Sequence, residues 1–157
     1  MERVMATKVR AKPVELYEAD FYVWALAQAD LLRARRFDAL DLENLIEEVE
    51  GLADTKLAAV LNGARVVMEH LLKLQFSPAT DPRNIWRASV REHRRRVQID
   101  LTPRIERLLA DQLPRAYAMA RDDAAAGMRD HGQHSAADAL PAACPYSLDQ
   151  ITGDCWP

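Results

Sequence analysis

The chain has 157 residues, of which 49% are hydrophobic and 29% charged, and its net charge is −3. That length suits one domain of common size, and the composition is globular rather than disordered or fibrous. So small a net charge gives no global attraction to nucleic acid or to an anionic membrane, and two cysteines, Cys144 and Cys155, are too few for a disulfide framework.

Residues 1–14 carry Arg3, Lys8, Arg10 and Lys12 without helical periodicity and read as a flexible arm. The rest, 15–157, reads as one all-α domain, because the chain has only five glycines and no stretch alternates apolar with polar residues as a strand would. Asp20 is a good N-cap for a first helix over 20–35, which places Trp24, Leu26, Ala27, Leu31 and Ala34 at mostly helical intervals and ends in Arg33, Arg35 and Arg36. A second helix over 41–75 keeps Leu42, Leu45, Ile46, Val49, Val60, Val67 and Leu71 on one broad face. Unbroken it would be about 52 Å long, with a kink expected near Gly51 or Gly63, and Val49, Val60, Val67 and Leu71 are expected to be buried.

The segment SPATDP, 77–82, ends this helix with two prolines. A third helix follows over 83–101. Thr102 then caps a fourth, which has Pro103 at its first position, is expected to break or kink at Pro114, and continues to about residue 127. From about 129 the pattern decays into a tail whose Leu140, Tyr146, Leu148, Ile151 and Trp156 would lie along the helices as a strap. The expected architecture is a bundle of four main helices, built around the second, with a C-terminal strap.

The blocks DFYVWALAQADLLRARRFDALDLENLIEEVEGL and HLLKLQF, the isolated Trp86 before an arginine-rich helix, and the terminal CPYSLDQI with its final Trp-Pro together resemble the bacterial domain of unknown function family 29. The resemblance covers about residues 17–157. It implies a small helical bacterial protein without an established activity, and so brings no catalytic residues with it.

On the second helix, Glu43, Glu47, Glu50 and Asp54 fall in one stripe about 60° wide beside the apolar face. Like charges at these spacings destabilise an isolated helix by about 0.2–0.5 kcal/mol per pair, so the folded protein should bring positive charge to them. The four are the candidate ligands of a divalent metal and would then serve a phosphohydrolase. The all-α nucleotide pyrophosphohydrolases complete a comparable stripe with a Glu-x-x-Asp on a later helix, which this sequence lacks. Glu69 and His70 lie about 30 Å farther along the same helix and cannot substitute. Ion pairing with Arg33, Arg36, Arg87, Arg91 or Arg94 is therefore favoured over a metal.

On the third helix, Arg83, Arg87, Arg91, Arg94 and Arg95 gather on one side, and Trp86, Val90, His93, Val97 and Leu101 read as the opposite, apolar stripe. An arginine face can track phosphates, but no nucleic-acid motif and no interleaved aromatics accompany it, so nucleic-acid binding is not favoured. Trp86, Val90, His93 and Val97 are instead the candidate surface for self-association or a protein partner, with burial in the bundle as the competing reading. In the tail, His131, His134, Cys144 and Cys155 match a zinc site in number but not in spacing. No phosphate-binding loop, nucleophile elbow or Cys-His pair is present, so no catalytic residue is assigned. The expectation is a non-catalytic, cytoplasmic protein-interaction or regulatory module without a membrane partner, and the metal phosphohydrolase and the nucleic-acid binder are the alternatives.

Overall fold

The computed structural model describes residues 13–157, with side chains from Leu16 onward. The cations of the basic arm therefore lie outside the described residues, while Pro13 and Val14, read as part of that arm, open a helix. The elements are α1 (Pro13–Ala19), α2 (Phe21–Arg33), a 3₁₀ turn (Phe37–Ala39), α3 (Leu42–Phe76), α4 (Arg83–Asp100), α5 (Pro103–Asp130), α6 (His134–Asp138) and α7 (Leu148–Thr152). No strand occurs among the described residues, and the protein is all-α.

Local chemistry explains the boundaries. Asp20 separates α1 from α2 and caps the latter, its carboxylate accepting the Val23 N–H over 3.1 Å. After α2, Arg35 adopts a left-handed backbone at φ 54°, which turns the chain out of the helix. Thr102 caps α5, accepting from Ile105 N, and Pro103 fills the first helical position, where a missing N–H costs nothing. The expected break at Pro114 does not occur: α5 runs through it. Pro114 and Ala110, whose carbonyl loses its partner, are both exposed, so water satisfies that group. α3 likewise continues through Gly51 and Gly63.

The chain divides into two compact units, one reaching to Ala53 and the other Asp54–Pro157. The larger is a bundle whose core joins Val60, Val67, Met68, Leu71 and Leu72 of α3 to Val90 and Val97 of α4 and to Leu109, Tyr117, Ala120 and Met128 of α5. Gly63 permits a close approach of α3 and α4, since a Cβ there would stand 2.6 Å from Val97 Cγ2. The strap is ordered as expected, with Leu140, Tyr146 and Ile151 buried. Ser147 and Gln150 form a reciprocal capping box that starts α7.

Arg94 fastens the end of the strap. It is only 4% exposed, donates to the carbonyls of Gln150 and Cys155, the latter at 2.7 Å, and lies 4.8 Å from the centre of the Trp156 ring. This corrects its placement on a solvated arginine face. At 100° per residue Arg94 stands only about 40° from Val90, so it borders the apolar stripe rather than opposing it. Burial pulls its guanidinium below the usual arginine range.

The smaller unit has a different kind of interior. Among its described residues Trp24 is the one fully enclosed large side chain, at 2% exposure, packed edge-on to Tyr17 with ring centres 4.8 Å apart and tilted against Phe21 at 5.5 Å. Its indole Nε1–H donates to Asp41 Oδ2 over 3.1 Å. Asn44 Nδ2 donates to the same oxygen at 2.8 Å, and the Asp41 N–H donates to Gln28 Oε1 at 2.9 Å. A polar network, rather than an aliphatic layer, thus joins α2 to the start of α3.

Candidate interaction surface

Within the smaller unit, α1 and α2 engage the side of α3 that carries Asp41, Asn44 and Glu48. Tyr17 donates its phenol to Glu48 over 2.6 Å, and that bond, with neighbouring carboxylates, pushes the Tyr17 pKa up to about 12. On the helical wheel these residues lie about 100–160° away from the direction of Leu42. The apolar side is left open: Leu42 is 55% exposed, Ile46 56%, Val49 60% and Leu52 67%. Val49 is therefore a surface residue, contrary to expectation, because the helices that enclose Val60 and Val67 have no counterpart over it in its own unit.

This exposure is concentrated. Among the described residues, ten of the fourteen large hydrophobic side chains in contact with solvent lie between Phe21 and Leu52, within a unit that makes up about a third of the chain. Single exposed apolar residues are ordinary, whereas a contiguous group marks a surface built to be covered. One signal in the sequence foretells it. α3 has 35 residues against 18 for α4 and 28 for α5, so a continuous apolar face on α3 outruns the helices available to bury it.

Beside the ridge stand the acids. Glu43, Glu47, Glu50 and Asp54 are all exposed, and none of them forms an ion pair among the described residues. Three of the arginines expected to neutralise them are engaged elsewhere: Arg33 pairs with Asp30 at 2.7 Å, Arg36 reaches Asp38 at 3.9 Å, and Arg94 holds the strap. As candidate metal ligands the four point outward along one helix, and no group of three His, Cys, Asp or Glu side chains among the described residues is arranged to hold a metal. The tail residues do not converge either. His131 Nδ1 bonds Gly127 O at 2.8 Å, Cys144 is half-buried beside Met68, and Cys155 is an exposed free thiol.

The candidates on α4 are placed in the larger unit's core. Val90 is 0% and Val97 1% exposed, while Trp86 packs half-buried against the core, so this stripe offers no exposed apolar anchors. His93 lies half-buried in a cluster that the sequence did not reveal. Ser89 Oγ sits 3.3 Å from His93 Nδ1 and 3.5 Å from His70 Nδ1, but both Nδ1 atoms also face carbonyls at 2.9 Å, of Ser89 and Val66. A nitrogen bonded to a carbonyl must carry the proton, so the hydroxyl accepts there and finds no lone pair to take its own proton. The trio stabilises the α3–α4 contact and does not activate a nucleophile.

A 260 Å³ cavity in the larger unit is lined by Leu61, Arg65, Arg115 and Met119, and a 370 Å³ one by Arg91, Arg94, Gln98, Thr152 and Asp154, where the Thr152 hydroxyl donates to the Leu148 carbonyl over 2.9 Å rather than to a carboxylate. No helix among the described residues is long and apolar enough to cross a membrane. Comparison with curated proteins gives no match, and neither does comparison with solved structures. The model of the family described as Domain of unknown function DUF29 does match, over residues 16–157, and the chain belongs to that family.

Proposed function

We propose that this protein is a non-catalytic protein-interaction module that binds through its smaller unit. The observation that carries the reading is the open apolar ridge Leu42, Ile46, Val49 and Leu52, joined in the same unit by exposed Phe21, Leu26 and Phe37. Covering such a surface is favourable by roughly 25 cal/mol per Å² of apolar area removed from water, before the costs of association are subtracted. The larger unit buries most of its large apolar residues in a core of its own, and its exposed ones, Ile85, Ile99, Met119 and Trp156, are few.

The test is site-specific photocrosslinking in cells that express the full chain, with the photoreactive residue at position 49 or, as a control, at Met119, an exposed position in the larger unit. Discrete adducts from position 49 that disappear when Ile46→Asp is added support the reading. Position 49 giving the same diffuse labelling as position 119 refutes it.

A further inference from the structure

We infer that the partner of this surface is a basic amphipathic helix, one that lays an apolar row on the α3 ridge and sets lysines or arginines against Glu43, Glu47 and Glu50. This inference rests on the interaction reading above and adds the chemistry of the partner. On a helical wheel, Leu42, Ile46, Val49 and Leu52 fill an arc of about 120°, and the three glutamates occupy the next 60° on the Ile46 side. The ridge has the i, i+4, i+7 spacing by which one helix receives the anchors of another. The glutamates are exposed and form no ion pair among the described residues, so no cation described here relieves their mutual repulsion.

Charge separates this partner from the other occupants of an apolar ridge. A carboxylate rim repels an anionic lipid surface and the phosphates of nucleic acid, and it favours a cationic polypeptide. An antiparallel second copy of this chain is disfavoured by symmetry. If two α3 ridges pair antiparallel about a two-fold axis, each carboxylate row falls on the same side as its mate, and glutamate meets glutamate. A basic flank on a different helix meets the row with opposite sign and fixes the register of the apolar anchors.

The test uses the full-length protein and two synthetic helical peptides with the same leucine row, one flanked by lysines and the other by glutamates. Binding is read by fluorescence anisotropy at several salt concentrations. The lysine peptide is expected to bind at least about tenfold more tightly than the glutamate peptide, with an advantage that shrinks as salt rises. Reversing three acids as Glu43→Lys, Glu47→Lys and Glu50→Lys should invert the preference, and Ile46→Asp should abolish binding of both peptides. Reversal of Asp111, Asp122 and Asp130, three exposed acids of the larger unit, should leave the preference in place. Circular dichroism matching the parent confirms that each variant is folded.

Equal binding of the two peptides overturns the inference, as does a preference that the three ridge reversals fail to invert. A stable dimer in light scattering, dissolved by Ile46→Asp, would assign the ridge to a second copy. Binding of the lysine peptide only after removal of residues 1–12 would assign it to this chain's own basic segment. If position 49 still crosslinks while the peptides show no preference, the partner chemistry alone is wrong, whereas loss of both signals removes the interaction reading as well.

Discussion

Trp24 and Asp41 are buried against each other, the indole N–H donating to the carboxylate over 3.1 Å across seventeen residues of chain. The smaller unit is organised around that bond. Asp41→Ala would leave the buried indole donor and Asn44 without their acceptor, a loss worth about 1–3 kcal/mol. Trp24→Phe, which removes the indole donor but keeps an aromatic ring, leaves Asp41 still bonded to Asn44. Urea unfolding should rank Asp41→Ala as destabilising, and Trp24→Phe combined with Asp41→Ala as less costly than the sum of the two single changes.

Gly63 sets the spacing of α3 and α4. Gly63→Ala places a methyl 2.6 Å from Val97 Cγ2, a stiff β-branched side chain with no room to move in the core. The expected cost is about 1–3 kcal/mol by overpacking, despite alanine's better helix propensity. Val97→Ala should recover part of that loss in the Gly63→Ala background although it destabilises the parent, and a double-mutant cycle by chemical denaturation measures the coupling.

Recognition of the fold from sequence succeeds where the signals are local and periodic. The caps at Asp20 and Thr102, the prolines of SPATDP and the long apolar periods place α2 to α5 to within a few residues. α1 escapes because seven residues span too few turns to show a period. Arg94 was assigned by its charge when its position beside Val90 decided its fate. Within the smaller unit Arg33 and Arg36 pair with Asp30 and Asp38 rather than with the glutamates for a related reason: opposite sign shows that a pair is allowed, and only tertiary geometry brings it within 4 Å. The Trp24–Asp41 bond and the His70–Ser89–His93 cluster join separate helices and leave no pattern along the chain.

His70 couples the larger unit to pH. Burial lowers its pKa from the ordinary 6.5, with Lys73 and His93 acting in the same direction while Glu69 and the bond to Val66 O oppose them. The folded state therefore disfavours protonated His70. Its contribution is fully present above about pH 6.5, falls as the unfolded chain takes up a proton below that pH, and levels off beneath the folded-state pKa. Denaturant midpoints measured from pH 8 to pH 5 should fall on the acid side, and His70→Gln should flatten that part of the profile.

Arg94→Met should free the strap without unfolding the bundle. The change removes two charge-assisted bonds to carbonyls and the cation beneath Trp156, together worth about 2–4 kcal/mol. Hydrogen exchange should speed up across residues 148–156 and stay slow at Val67 and Leu71. Faster exchange throughout α3 would show instead that Arg94 supports the whole core.

Because Tyr146 and Ile151 belong to the same core as Met68 and Leu71, the larger unit is completed by residues made long after those they cover. A ribosome adding about 5–20 residues per second needs on the order of ten seconds to pass from the end of α3 to α7. Through that interval the part of the α3 face that the strap covers stays without its cover, while every element of the smaller unit has already been synthesised. Rare codons placed between α5 and α7 should therefore lower the yield of soluble protein more than the same codons placed before α3.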